Sequence, residues 1–357
     1  MLKLDYSKLH RKLLRLHSLG GILIGGGFAF PPLIVQIEVT HKCNLRCRMC
    51  FQGKNEEKRT ELNIQEIKSI IDQTPPWSII TLTGGEPTFR EDFYEILDYG
   101  LSKRKCNMVT NASMINEELI KLFIDRKLLL LGISLDGLKE THDRVRGISG
   151  LYDKIVETIG QIQSKKKERQ TRYPMIDLKT TILTENISSL FSILKAAESL
   201  GANFASFSLP KLSDIQFNEP YGSDIDKIFS SAPMPPDKPS SKEMEYLKEE
   251  ISRIKNYRGK VNVRFYPYNM LDFAAVDKYY TGHLRCDEFS ACYMPWSLLC
   301  ISPYGDVYPC LSYNIGNIRE YTLKELWNGR RFRDFRLKLD RKKISGCCLG
   351  CCYSEWR

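Results

Sequence analysis

Between residues 33 and 209, short β-branched runs alternate with amphipathic stretches, and this alternation limits the chain more than any other feature. The runs at 33–40 (LIVQIEVT), 78–83 (SIITLT), 107–111 (NMVTN), 128–136 (LLLLGISLD), 175–183 (MIDLKTTIL) and 203–209 (NFASFSL) predict strands. The stretches between them, 63–73, 90–103, 116–126, 152–167 and 187–201, carry apolar residues at helical spacing. A helix between every two strands rules out hairpins and calls for right-handed crossovers in a parallel sheet. The expected fold class is therefore α/β, a partial (β/α)6 barrel of the TIM type, in which chemistry collects at the carboxyl ends of the strands.

The flanks read differently. Residues 1–32 form a lead-in whose first part is a basic amphipathic helix, with Tyr6, Leu9, Leu13 and Leu16 on one side and Lys8, Arg11, Lys12 and Arg15 mostly on the other. Five glycines and Pro31-Pro32 interrupt its apolar continuation, which argues against a signal peptide or a spanning helix. Packing on the main domain and peripheral contact with a membrane surface are both compatible with this helix. The core is expected over 33–210. After Pro210 a Pro, Ser and Asp-rich texture marks a linker over 211–285 with one charged helix near 241–257. Residues 286–357 have too little apolar material for an independent core, so metal is expected to support their fold.

Cysteines carry the strongest chemical signal. The twelve are clustered, at 43, 47 and 50, at 286, 292, 300 and 310, and at 347, 348, 351 and 352, with Cys106 alone. Clustering points to thiolate-bound metal in a reducing cytoplasm and away from a disulfide framework. Cys106 and Cys300 sit in strand-like runs and read as small core residues. Cys43, Cys47 and Cys50 follow the first strand and are one thiolate short of a closed zinc or iron-sulfur site, so one coordination position is left for something else. The 53 Lys and Arg exceed the 43 Asp and Glu, giving +10, but no dense basic tract with interleaved aromatics appears, so nucleic acid is not an expected partner.

The run CNLRCRMCF at 43–51 resembles the CxxxCxxC-aromatic signature of the radical S-adenosylmethionine (SAM) enzymes, and the later strand ends match in order. The resemblance implies that Cys43, Cys47 and Cys50 are the catalytic ligands of a [4Fe-4S] cluster that binds SAM, with Phe51 packing on the adenine side. TLTGGEP implies that Gly84 and Gly85 allow close backbone approach and that Glu86 meets the SAM ammonium. VTNAS and ISLDG place Asn111, Ser134 and Asp136 near the ribose and methionine, and HDRVRG places Arg146 at the SAM carboxylate.

The tail continues the likeness. Cys292, twelve residues, Gly305, four residues and Cys310 resemble the opening of a SPASM/Twitch module, a small cysteine-rich iron-sulfur domain. The remaining length is short for a full SPASM pattern, so the resemblance implies one auxiliary [4Fe-4S] cluster on Cys292, Cys310, Cys348 and Cys351. Cys286, Cys347 and Cys352 stay open as alternative ligands, and a zinc knot is the structural alternative. The implied activity is reductive cleavage of SAM to a 5'-deoxyadenosyl radical that abstracts hydrogen from an organic substrate. A reductant such as ferredoxin or flavodoxin and a peptide substrate are the expected partners. A lipid, sugar or cofactor precursor is the alternative substrate, and an iron-sulfur electron carrier the alternative class.

Overall fold

A computed structural model describes residues 6–50, 59–210, 226, 238–310, 313–339, 344 and 346–357. All six expected strands are present: β1 (Ile34–Thr40), β2 (Ile79–Gly84), β3 (Lys105–Thr110), β4 (Leu130–Ser134), β5 (Met175–Thr181) and β6 (Phe204–Ser208). They pair in sequence order and in parallel. The helices between them are α2 (Ile64–Gln73), α3 (Phe93–Lys103), α4 (Glu117–Asp125), α5 (Lys139–Arg146), α6 (Leu151–Glu168) and α7 (Leu190–Ser199), and α1 (Tyr6–Ile24) precedes β1. Local chemistry sets their starts. Asn63 caps α2 and exchanges hydrogen bonds with Glu66 in a capping box, and Asn116 caps α4 through the Leu119 amide.

Val35, Ile37 and Val39 of β1 join Ile80, Leu82, Met108, Leu131, Ile133, Ile176 and Leu178 in the buried layer under the helices. The alternate residues, Gln36, Glu38 and Thr40 on β1 and Asp177 and Lys179 on β5, belong to the opposite face of the sheet. That face is polar, as a sheet that lines a ligand site requires.

Two differences from the sequence reading enlarge the sheet. A seventh parallel strand, β7 (Asn262–Tyr266), pairs with β6 inside the segment read as linker. Its alternation of Val261, Val263 and Phe265 with Asn262 and Arg264 is a strand pattern shortened by the polar partners it needs on the inner face. The cysteine-rich segment continues the same sheet. β8 (Leu298–Ile301) pairs in parallel with β1, β9 (Asp306–Tyr308) is antiparallel to β8, and β10 (Gly316–Asn317) is antiparallel to β9. Leu299, Ile301 and Val307 share the core with β1.

The N-terminal helix docks by residues other than those of its leucine side: Leu13 and Leu16 are 55% and 65% exposed, whereas Leu14, Ser18, Gly21 and Ile22 are buried. The reason is close approach. Ser18 Oγ lies 2.6 Å from Ser297 Oγ and donates to the Tyr293 carbonyl at 3.0 Å. A Cβ on Gly21 would come within 3.1 Å of Trp296 and 3.0 Å of the Ala29 backbone, so small residues dock where leucines would not fit. Among the described residues no helix is long and apolar enough to cross a membrane.

One buried cation ties the two ends of the chain together. Arg336, on the helix Arg330–Lys338, donates to the Pro295 carbonyl at 2.8 Å, the Gly27 carbonyl at 2.9 Å and Asn328 Oδ1 at 3.0 Å. Its guanidinium lies over Phe332 and Trp327, 3.8 and 4.4 Å from the ring centroids, and burial lowers its pKa to about 9. Arg336→Ala strips buried carbonyls of their donor and leaves a void, so it should cost about 3 kcal/mol or more, read as a lowered thermal midpoint. Arg336→Lys should recover only part of that, because one ammonium does not reproduce the planar fork.

Candidate active site

The three cysteines sit on the loop that leaves β1 at its carboxyl end, and the preceding residues fix where that loop starts. Thr40 Oγ1 donates to Glu61 at 3.0 Å and the His41 amide donates to Glu61 Oε1 at 2.8 Å. From the other side, the Gly85 amide donates to the Thr40 carbonyl at 2.8 Å and the Glu86 amide to the Lys42 carbonyl at 2.9 Å. The glycines are needed for that approach. Gly84 has φ +136, and a Cβ there would lie 2.2 Å from the Thr40 carbonyl oxygen. A Cβ on Gly85 would lie 2.3 Å from the Lys42 oxygen and 2.6 Å from that of His41.

Within the loop the Cys50 amide donates to the Cys47 carbonyl at 3.0 Å, which turns the last two thiols toward one region. Donors point at sulfur. The Leu45 amide is 3.4 Å from Cys43 Sγ, Asn111 Nδ2 is 4.0 Å from the same sulfur, and Arg146 Nη1 is 3.7 Å from Cys47 Sγ. Burial raises both thiol pKa values, and Arg146 opposes that rise at Cys47. A metal center would settle this opposition, since it takes the thiolates directly.

Glu86 is fully buried. Its Oε1 accepts from the Thr88 amide at 3.1 Å, Thr88 Oγ1 at 2.6 Å and Thr110 Oγ1 at 2.7 Å, and its Oε2 accepts from the Asn111 amide at 2.7 Å. Burial raises its pKa, while these four donors favor the carboxylate. Asn111 also bonds Asn44 Oδ1 at 3.0 Å and accepts from Ser113, so β3 is tied to the cysteine loop, while the cap of α4 is Asn116. Ser134 ends β4 directly opposite Lys179.

Asp136 is also fully buried and is held on every side. Its Oδ1 accepts from the Thr181 amide at 2.7 Å and its Oδ2 from Arg146 Nε at 2.6 Å. Its own amide donates to His142 Nδ1 at 3.1 Å, and Asn186 Nδ2 donates to its carbonyl at 2.9 Å. Arg146 thus spans Asp136 and Cys47. Phe51 lies outside the described residues. The sequence reading missed Glu61, His142 and Asn186, which bond mainly backbone groups; the local signals for them are His142 at the start of HDRVRG and Asn186 inside the turn TENI.

Around the tail, the charges of Cys286 and Cys348 act on one another, as do those of Cys292 with Cys348 and Cys352. Burial pushes the Cys292 thiol up to about 12, and Cys351 is raised by its hydrogen bond with Cys352 and by burial. Cys286 therefore belongs to the same neighborhood as the expected ligands Cys292, Cys348 and Cys351. Cys310 follows β9 by two residues, and Cys300 and Cys106 are buried in β8 and β3 as core residues. Among the described residues no three His, Cys, Asp or Glu groups close on a single ion. A cluster asks less of them, since each thiolate binds a separate iron. The donor set at 43–50 fits such a cluster: three thiols on one loop, N–H groups directed at sulfur, and no further cysteine in the sequence before 106.

Residues 37–189 match the family described as the Radical SAM superfamily, and residues 292–352 match SPASM, an iron-sulfur cluster-binding domain. The chain is 31% identical over 169 residues to Fe-coproporphyrin III synthase of Methanosarcina barkeri, a match that covers 46% of this chain and 41% of that relative. It is 25% identical over 351 residues to the antilisterial bacteriocin subtilosin biosynthesis protein AlbA of Bacillus subtilis, covering 92% of this chain and 69% of AlbA. Among solved structures, Streptococcus suis SuiB bound to its precursor peptide SuiA superposes with a TM-score of 0.60 at 16% identity, over 94% of this chain and 74% of SuiB, a likeness of fold alone.

Two predictions follow the geometry. Gly84→Ala or Gly85→Ala should cost about 1–3 kcal/mol by overpacking and displace the cysteine loop, read as reduced iron incorporation at that site with the tail cluster retained. His142 is neutral when folded, its pKa lowered by burial from 6.5 to about 4. The unfolded chain therefore takes up the proton first, and stability is lost as pH falls from about 6.5 to 4, by about 3 kcal/mol in all. Denaturation of the cluster-free chain at pH 7 and pH 4.5 measures this. His142→Gln should remove the steep part of the loss.

Proposed function

The chain is a member of the radical SAM superfamily with a C-terminal SPASM-type iron-sulfur domain, and from that premise we propose that it modifies a peptide by abstracting a hydrogen atom from it. It is an enzyme whose cofactors are SAM, a [4Fe-4S] cluster that binds SAM, and an auxiliary iron-sulfur cluster. When bound, the first cluster supplies the electron that cleaves SAM to a 5'-deoxyadenosyl radical.

The protein's own part is placement. In this reading Cys43, Cys47 and Cys50 hold three irons of the first cluster and leave the fourth for SAM. Gly84 and Gly85 keep β2 close to that loop, and Glu86 offers the remaining capacity of Oε2 to the SAM ammonium. Asn111 and Ser134 line the nucleoside side, and Phe51 packs on adenine. Asp136 holds Arg146 so that its guanidinium reaches Cys47 and, with SAM present, the carboxylate. Cys292, Cys310, Cys348 and Cys351 hold the auxiliary cluster, with Cys286 as the first alternative ligand. A ferredoxin or flavodoxin is the proposed reductant, and the cytoplasm the proposed location.

The observation that carries the reading is the convergence at one sheet end of the three-cysteine loop, the buried GGE turn and the Asp136–Arg146 pair. AlbA supports the peptide class, since it is a bacteriocin biosynthesis protein that aligns with nearly the whole of this chain. Fe-coproporphyrin III synthase, with the higher identity over a shorter span, favors a second reading in which the substrate is a tetrapyrrole.

Anaerobic reconstitution with iron, sulfide and SAM, followed by reduction, should yield 5'-deoxyadenosine. Cys43→Ala, Cys47→Ala and Cys50→Ala together should abolish that product and remove about one cluster of iron while the tail keeps its own. Retained 5'-deoxyadenosine in the triple variant would overturn the assignment, and an intact wild-type cluster without SAM cleavage would point to an electron carrier.

A further inference from the structure

The inner face of β4–β7 carries a cationic group that the SAM site does not use. Lys179, Ser206 and Arg264 are paired directly across β5, β6 and β7, so their side chains share one face and one level of the sheet, next to Ser134 of the SAM side on β4. That level is one inward-facing step before Asp136 and Thr181, where the SAM-side network begins.

Asp177, fully buried on β5, anchors the group. Its Oδ1 accepts from Ser206 Oγ at 2.7 Å, and its Oδ2 faces Lys179 Nζ at 2.9 Å and Arg264 Nη1 at 3.4 Å. Two cations thus meet one carboxylate, leaving a net positive charge on an inward face. Arg264 Nε is buried without a hydrogen-bond partner, although the guanidinium lies 3.6 Å from the Phe204 ring centroid. A buried donor of this kind is costly unless a ligand meets it.

The group is also given room. A Cβ on Gly132 of β4 would lie 2.7 Å from Lys179 Cε and 3.3 Å from its Cδ, so the lysine stem crosses the gap that this glycine leaves. Gly132 has an ordinary backbone conformation, which makes space the reason for a glycine there. The side chain of Lys179 stays about one-third exposed, so its ammonium can reach a ligand.

We infer that Lys179 and Arg264, oriented by Asp177 and Ser206, bind a carboxylate of the substrate and hold the substrate beside the SAM site. The inference rests on the radical SAM reading for what happens to the substrate, and on the sheet geometry alone for what binds. A carboxylate suits the fork of Arg264 and the point charge of Lys179 together. Its two possible sources are an acidic peptide residue and a tetrapyrrole propionate.

The test uses reconstituted full-length protein with SAM and two probe pairs in calorimetric titration. One pair is Fe-coproporphyrin III and its tetramethyl ester, the other a blocked peptide with one Asp and its Asn counterpart. The wild type should prefer the acid of one pair by about tenfold or more, and which pair shows it identifies the source. Lys179→Gln with Arg264→Gln should erase the preference. Gly132→Ala, which displaces the lysine stem without altering a charge, should weaken it, and Lys179→Arg should keep most of it. Iron content and thermal midpoint report whether each variant is folded. The proposal fails if neither acid is preferred by the wild type, if the double variant keeps the preference, or if that variant loses SAM affinity instead. A wild type that prefers the acid but forms no 5'-deoxyadenosine upholds the anion site and overturns the enzymatic reading.

Discussion

The rest of the site depends on how closely the backbone after β2 can approach the backbone after β1. Two amide hydrogen bonds, Gly85 to Thr40 and Glu86 to Lys42, hold the segments together at a separation where any Cβ would collide with a carbonyl oxygen. That contact sets the position of Lys42, and Cys43 is the next residue. It also turns Glu86 under the sheet end, where Thr88, Thr110 and Asn111 satisfy its carboxylate. The sulfur loop and the carboxylate that flanks it are therefore placed by one interaction. A short motif carries both because the glycines and the glutamate are consecutive.

A second buried carboxylate extends the arrangement across the sheet. Asp136 without partners would be costly to bury, and each of its polar groups is met by a different residue: Thr181 at the end of β5, Arg146 and His142 of α5, and Asn186 in the turn after β5. The network is complete only when β4, α5 and β5 are all in place. Arg146 reaches Cys47 from there. Positioning of the loop cysteine is thus a consequence of correct packing a third of the way around the sheet, and residues that touch no cofactor, His142 among them, act through it.

How much of this was legible follows from the physical range of each signal. The alternation of strand and helix, the six strands and the cysteine loop at a strand end were readable because they rest on local periodicity and on motifs whose residues are adjacent. The face of α1 was not. Apolar spacing favored Leu13 and Leu16, but docking against Trp296 and Ser297 selects Ser18 and Gly21 for their small size, and shape complementarity over a separation of nearly 280 residues leaves no periodic trace. β7 escaped because two of its five residues, Asn262 and Arg264, are polar for the sake of the inner face. His142 and Asn186 escaped because they bond the backbone amide and carbonyl of Asp136, which every sequence has. The neighborhood of Cys286 was only an option in the sequence, since a spacing pattern cannot say which of several cysteines folds toward Cys348.

Continuity of the sheet bears on how the two cysteine regions cooperate. β8 pairs with β1 from Ile34 to Ile37, the Leu33 and Ile34 amides donate to the Ser297 carbonyl, and the Leu62 amide donates to the Pro303 carbonyl. Arg59 pairs with Asp306 at 2.6 Å and Arg319 with Glu66 at 2.6 Å, adding charge contacts between the same two parts. Separate domains ordinarily shift against one another across a modest polar interface. Here a shift would break a strand ladder and strip buried amides of their partners, so the tail and the core move as one body. The strand that ends in the first cysteine loop is the one that anchors the tail, and Tyr353 reaches back from beside Cys351 and Cys352 toward Gln36 on that strand. The distance between the two thiol groups is therefore a property of the folded sheet.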